Sequence, residues 1–113
     1  MSESRADAEV GRLIGFYLSI EHASRDMLAA ARDSDWDRVG EIHERCGALI
    51  DQVRRLNGRV VLARDDQRAK LRIIRQIVRN EAQIRRLAYP WSERYEHLVF
   101  GAVAGPGPAG RAA

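Results

Sequence analysis

No proline interrupts the first 89 residues of this 113-residue chain; Pro90 is the first, and Pro106 and Pro108 lie near the end. Proline fixes φ and removes a backbone donor, so a long stretch without it leaves the chain free to run in helices. Apolar spacing then favours helix over strand. From Val39, apolar residues recur at Ile42, Cys46, Leu49, Val53 and Leu56, in alternating steps of three and four. Such spacing lines up all six along one side of a helix, as a seam of heptad type. No segment carries a convincing strand signal.

The same reading divides the chain into four helical segments and a tail. The first runs from about 6 to 32, with Val10, Leu13, Ile14, Tyr17, Ile20, Met27 and Leu28 at helical spacing. It breaks at Asp33-Ser34-Asp35, where Ser34 is the expected N-cap of a second helix over about 35–57. Asp35 and Asp37 then stand in its first turn, where the helix dipole favours negative charge. Asn57-Gly58 is the expected stop. Asp65 or Asp66 is expected to cap a third helix over about 66–88. Tyr89-Pro90 ends or kinks it, and Pro90 suits the first turn of a shorter helix over about 90–100. The Gly, Pro and Ala-rich residues 101–113 have little to bury and are expected to be a flexible tail. The predicted fold is therefore all-α: one domain over 1–100, with three main helices in a small antiparallel bundle, a shorter C-terminal helix and a disordered tail. A domain this small has a modest core, and self-association is a common remedy. A weak homodimer is expected.

Charge is unevenly placed. Residues 1–53 carry 6 basic and 11 acidic side chains, whereas residues 54–86 carry 11 basic and 3 acidic. The two regions can attract one another within the bundle, or the basic region can attract an acidic partner or nucleic acid. No apolar run is long enough to span a bilayer and no leader-like start is readable, so a cytoplasmic chain without membrane insertion is expected. The single Cys46 rules out an internal disulfide and suits a reducing compartment.

Chemistry-bearing patterns are thin. His43 and Cys46 are three apart on one helix, but no second pair completes a zinc set, and Cys46 falls within the apolar seam. None of His22, His43 and His97 has Glu three residues before it, as a di-iron bundle requires. There is no nucleophile-elbow or phosphate-loop pattern. No enzyme, cofactor or metal is expected. Gly11 and Gly15 cost helix stability at about 1 kcal/mol each relative to alanine. They mark either a frayed start or close approach by another helix; Gly40 and Gly47 allow similar contact.

The third segment has apolar residues on two faces. Ile73, Ile77, Ile84 and Leu87 form one; Leu71, Ile74 and Val78 form another, displaced by roughly 100–160° at 100° per residue. A surface helix needs only one apolar stripe. Either the bundle touches this helix on two sides, or the second stripe, edged by Arg68, Arg72, Arg75 and Arg79, is a groove wall for a client helix. On the second reading Leu71, Ile74 and Val78 contact the client, and Arg75 and Arg79 steer it. Trp91, Tyr95, Leu98 and Val99 share one arc of the fourth segment and are either core or a detachable lid over that groove.

Met27-Leu28-Ala29-Ala30-Ala31, Asp35-Trp36-Asp37 opening the second helix, Ile42 through Ile50, and Ile74-Arg75-Gln76-Ile77-Val78-Arg79-Asn80-Glu81 before Ile84 and Leu87 occur in this order over residues 10–100. In order, spacing and length the chain resembles the flagellar export chaperone FliT family. The resemblance implies an all-helical, cytosolic, often dimeric protein that shields the C-terminal region of the filament cap protein before type III export. It also implies contacts with the export ATPase, the export gate and the flagellar master regulator, with the last helix restraining several of them. The competing reading is a basic helical protein that binds nucleic acid or assists transcription. It is disfavoured because the arginines are interleaved with apolar stripes and no helix-turn-helix is readable.

Overall fold

The computed structural model describes residues 2–88, which form three helices: α1 (Ser2–Arg32), α2 (Trp36–Asn57) and α3 (Arg64–Ala88). The expected fourth helix over 90–100 and the tail lie outside the described residues. The helix passes through Gly11 and Gly15 without a break.

The α1–α2 connection is tighter than expected. Ser34 is not the N-cap of α2; it adopts φ 59°, the left-handed region that closes α1. Its N–H donates to Ala31 O at 3.0 Å and the Asp35 N–H donates to Ala30 O at 2.8 Å. These two bonds make a Schellman motif, in which a left-handed residue lets the last carbonyls of a helix find donors. Asp35 becomes the N-cap instead, its carboxylate accepting from the Arg38 N–H at 3.2 Å. Helix α2 ends at Asn57 as expected, but Gly58 has φ −78°, so its conformational freedom is not used. Helix α3 begins two residues earlier than expected: Gln67 N–H donates to Ala63 O at 2.9 Å, leaving Asp65 and Asp66 inside the first turn rather than at the cap.

Both α2 and α3 lie along α1, and they approach each other at few points. The central helix is thus the first, not the third. One core cluster joins Met27, Leu28, Ala30 and Ala31 of α1 with Trp36, Val39, Ile42 and Cys46 of α2 and Ile84 and Ala88 of α3. The other joins Leu13, Tyr17 and Ile20 with Val53, Leu56 and Ile73. The start of α2 therefore meets the end of α1, antiparallel as expected. Helix α3 does the reverse: its start meets the start of α1, so these two run parallel. The α2 seam is buried at Val39, Ile42, Cys46, Val53 and Leu56; Leu49 is half-buried, because it stands at the edge of the α1–α2 contact.

Candidate functional site

The inward face of α3 fixes where its outward face points. Ile73, Ile84 and Ala88 are buried against α1. Between them sits Asn80, 4% exposed, whose amide nitrogen donates to Ser24 Oγ on α1 at 2.9 Å. Gln76 Nε2 donates to Asn80 Oδ1 at 3.0 Å, and Ser24 Oγ donates to Glu21 O at 2.7 Å. The buried side-chain polar atoms of Ser24 and Asn80 are thus all partnered, and such a network holds only in one register. Arg32 adds a bond to Gln83 Oε1 at 3.0 Å, and the Lys70 ammonium lies 5.7 Å from the centre of the Tyr17 ring, within cation–π range. Asn80 and Ser24 were not singled out from sequence. The signal was present, since Asn80 occupies an apolar position between Ile77 and Ile84, and Ser24 does so between Ile20 and Met27.

With that register set, Leu71 and Val78 are 47% and 57% exposed on the outer side of α3. Ile74 is half-buried and packs against the core cluster below, forming the floor between them. Arg68, Arg72, Arg75, Arg79 and Arg86 are all exposed. Their steps of four, three, four and seven residues place them along one edge of this stripe. The stripe read from sequence thus exists as an accessible surface among the described residues. Of the first stripe, Ile73 and Ile84 are buried, Ile77 is half-buried and Leu87 is 38% exposed. Trp91, Tyr95 and Leu98 lie outside the described residues.

Two other places hold polar groups. Between α1 and α2, Leu18, Ser19, His22, Ala23, Asp26, Arg45 and Leu49 line an open cleft of about 330 Å³. Leu18 and Ile50 are large apolar side chains exposed on these helices, at 45% and 38%. Among the described residues, a Cβ added at Gly11, Gly15, Gly40 or Gly47 would meet nothing within 4 Å, so close approach between the described helices does not explain them. On the α3 side, burial pushes the Glu81 carboxyl above the usual carboxylate range, with Arg85 and His43 pulling it back. Burial, then the Glu81 charge, pushes the Cys46 thiol up, against a smaller opposing effect of Arg45. A thiol held protonated in a core is a packing group rather than a nucleophile or metal ligand. No helix among the described residues is long and apolar enough to cross a membrane.

No curated protein and no solved structure matches the chain. A family model does: the one described as "Flagellar protein FliT" matches residues 16–100, from the middle of α1 past the end of α3. The three-helix packing and the family match agree with the resemblance read from the sequence, and the chain belongs to the FliT family of non-enzymatic flagellar export chaperones.

Proposed function

We propose that the outer face of α3 is where this chain holds its export client, the flagellar filament cap protein, in the cytoplasm before type III export. The observation that carries this reading is the exposure of Leu71 and Val78 at 47% and 57% beside a row of arginines, on a helix whose other face is already satisfied. An amphipathic client helix laid into such a stripe removes its apolar face from water and keeps it from other partners. Nucleic acid is a poorer occupant, because the arginines edge an apolar stripe, and Leu71 and Val78 offer a phosphate backbone nothing.

Residues 90–100, with Trp91, Tyr95 and Leu98, serve in this proposal as a lid that competes for the stripe. Reach supports a partial lid. The segment starts just after Ala88, which is buried at the end of α3. A helix of eleven residues spans about 16 Å, which would return from Ala88 to the level of Val78 but not of Leu71. The same segment is the natural place for restrained contacts with the export ATPase, the export gate and the master regulator. Weak self-association through the open glycine faces of α1 and α2 completes the proposal, with sedimentation velocity at high concentration as its check.

The test is calorimetric titration with a peptide from the C-terminal region of the cap protein. Deleting residues 90–113 should strengthen binding, because affinity is reduced by the fraction of time the lid is shut. Val78→Asp should weaken binding while thermal unfolding stays unchanged, since the side chain is exposed. Weaker binding by the truncated chain would make the segment part of the site; normal binding by a folded Val78→Asp would move the site off α3.

A further inference from the structure

The row of arginines along one edge of α3 differs from three arginines of α1 and α2. Arg25, Arg38 and Arg54 pair with acids on their own helices, with Glu21 at 3.1 Å, Glu41 at 3.9 Å and Asp51 at 3.8 Å. Among the described residues Arg68, Arg72, Arg75, Arg79 and Arg86 have no such pair. After the first turn of α3 its only acid is Glu81, which is half-buried and faces away from their edge. Like charges three and four apart weaken a helix, so this row is tolerated at a cost. At 100° per residue the opposite edge of the apolar stripe carries Lys70 and Glu81, and Arg85 stands in line with the stripe beyond Val78. The surface is therefore apolar along its middle, with a continuous row of arginines along one side and mixed charge along the other.

We infer that the partner of this surface is an amphipathic helix with Asp or Glu repeated every three or four residues along one flank, docked lengthwise so that this flank meets Arg68, Arg72, Arg75, Arg79 and Arg86. The row runs over 19 residues, a rise of about 27 Å, which asks for about five turns of partner helix. Guanidinium groups suit this task, because they pair with carboxylates in a fork geometry and remain charged. The uneven charge also sets direction: turned end for end, the same partner would lay its acids against Lys70 and Glu81, whose charges offset, and not against a row of arginines. This inference rests on the proposed docking of a client on α3 and adds the chemistry and direction of what docks there.

The experiment uses the full chain and three probes: a 20-residue helical peptide with a leucine stripe and glutamates on one flank, its twin with glutamine at those positions, and a DNA duplex. Stopped-flow association is followed from low to high salt. The acidic peptide should associate at least roughly tenfold faster than its twin at low salt, with the advantage fading as salt rises. An R68Q/R75Q/R79Q variant should remove that advantage while leaving the twin's affinity as it was. L71S/V78S should weaken both peptides. Equal rates for the two peptides, with L71S/V78S still weakening both, would overturn the acidic-flank inference and leave the docking reading standing. Peptide binding unaffected by L71S/V78S would overturn both. DNA that binds more tightly than the acidic peptide and displaces it would assign the arginines to phosphate and overturn the inference.

Discussion

The two contacts made by α1 are built differently. Against α2 it meets an apolar seam, with Val39 and Ile42 fully buried and Cys46, Val53 and Leu56 nearly so. Against α3 it meets a shorter apolar set interrupted by Asn80, with Ser24, Gln76, Arg32 and Gln83 supplying hydrogen bonds. Apolar burial is strong but indifferent to small shifts in register, whereas a buried amide bonded to a buried hydroxyl is satisfied in one alignment only. The α2 side chiefly stabilises; the α3 side chiefly specifies. That division makes sense for a helix whose opposite face is proposed to do the binding, because the orientation of Leu71, Val78 and the arginines depends on the register of α3.

Breaking the α2 side should have the largest effect. Ile42→Ala removes a fully buried side chain and should cost about 2–5 kcal/mol in chemical denaturation. Leu49→Ala, on the same seam but half-buried, should cost well under that; equal losses would show that the seam is uniform and the contrast wrong. Next comes Asn80→Ala, which strips Ser24 and Gln76 of their shared partner. A loss of about 1–3 kcal/mol is expected. Broadened amide resonances confined to α3 should accompany it, and sharp spectra would deny that Asn80 sets the register. Smaller and opposite in sign is Ser34→Gly. A non-glycine residue in the left-handed region costs roughly 1–2 kcal/mol, so glycine there should raise stability by up to about that amount.

The smallest effect is pH-dependent. Burial raises the Glu81 pKa in the folded chain, so the folded state holds this proton to a higher pH than the unfolded chain does. Its contribution is thus fully present below the unfolded pKa and is lost as pH rises through the folded value. Glu81→Gln should leave stability unchanged in acid and raise it slightly at neutral pH. A neutral-pH loss would mean that the charged carboxylate is held by Arg85 and His43 more firmly than burial disfavours it.

Much of the fold was legible in the sequence, and the failures have physical causes. The α2 seam was read almost residue for residue because one neighbour buries one stripe at heptad spacing. Which helix is central was not legible. A helix touched on two sides spreads its apolar residues around its circumference, as α1 does from Leu13 to Ala31, and so looks weakly patterned. Helix α3 shows two distinct stripes and invited the central place, yet only one of them faces the core. Ser34 was misplaced because Asp33-Ser34-Asp35 offers three capping residues in a row, and the hydrogen bonds closing α1 decide among them. The packing role of Asn80 is not legible, because apolar periodicity carries no mark of the polar residue that completes the period. Of the candidate surface, the exposure of Leu71, Val78, Arg75 and Arg79 is legible as a surplus of face over need, whereas Ile74 is half-buried against the core.

The parallel run of α1 and α3 also bears on how the chain assembles. The α1–α2 contact closes through a short turn, so that hairpin can form as soon as residue 57 is available. The bonds that seat α3, between residues 51 and 56 positions apart, require a long loop to close first. Contacts so distant in sequence form slowly relative to local ones. During synthesis, the hairpin therefore stands for a time with the α3 side of α1, the side of Tyr17 and Ser24, uncovered until the third helix emerges. The chaperone is itself, for that interval, a chain with an unguarded apolar surface.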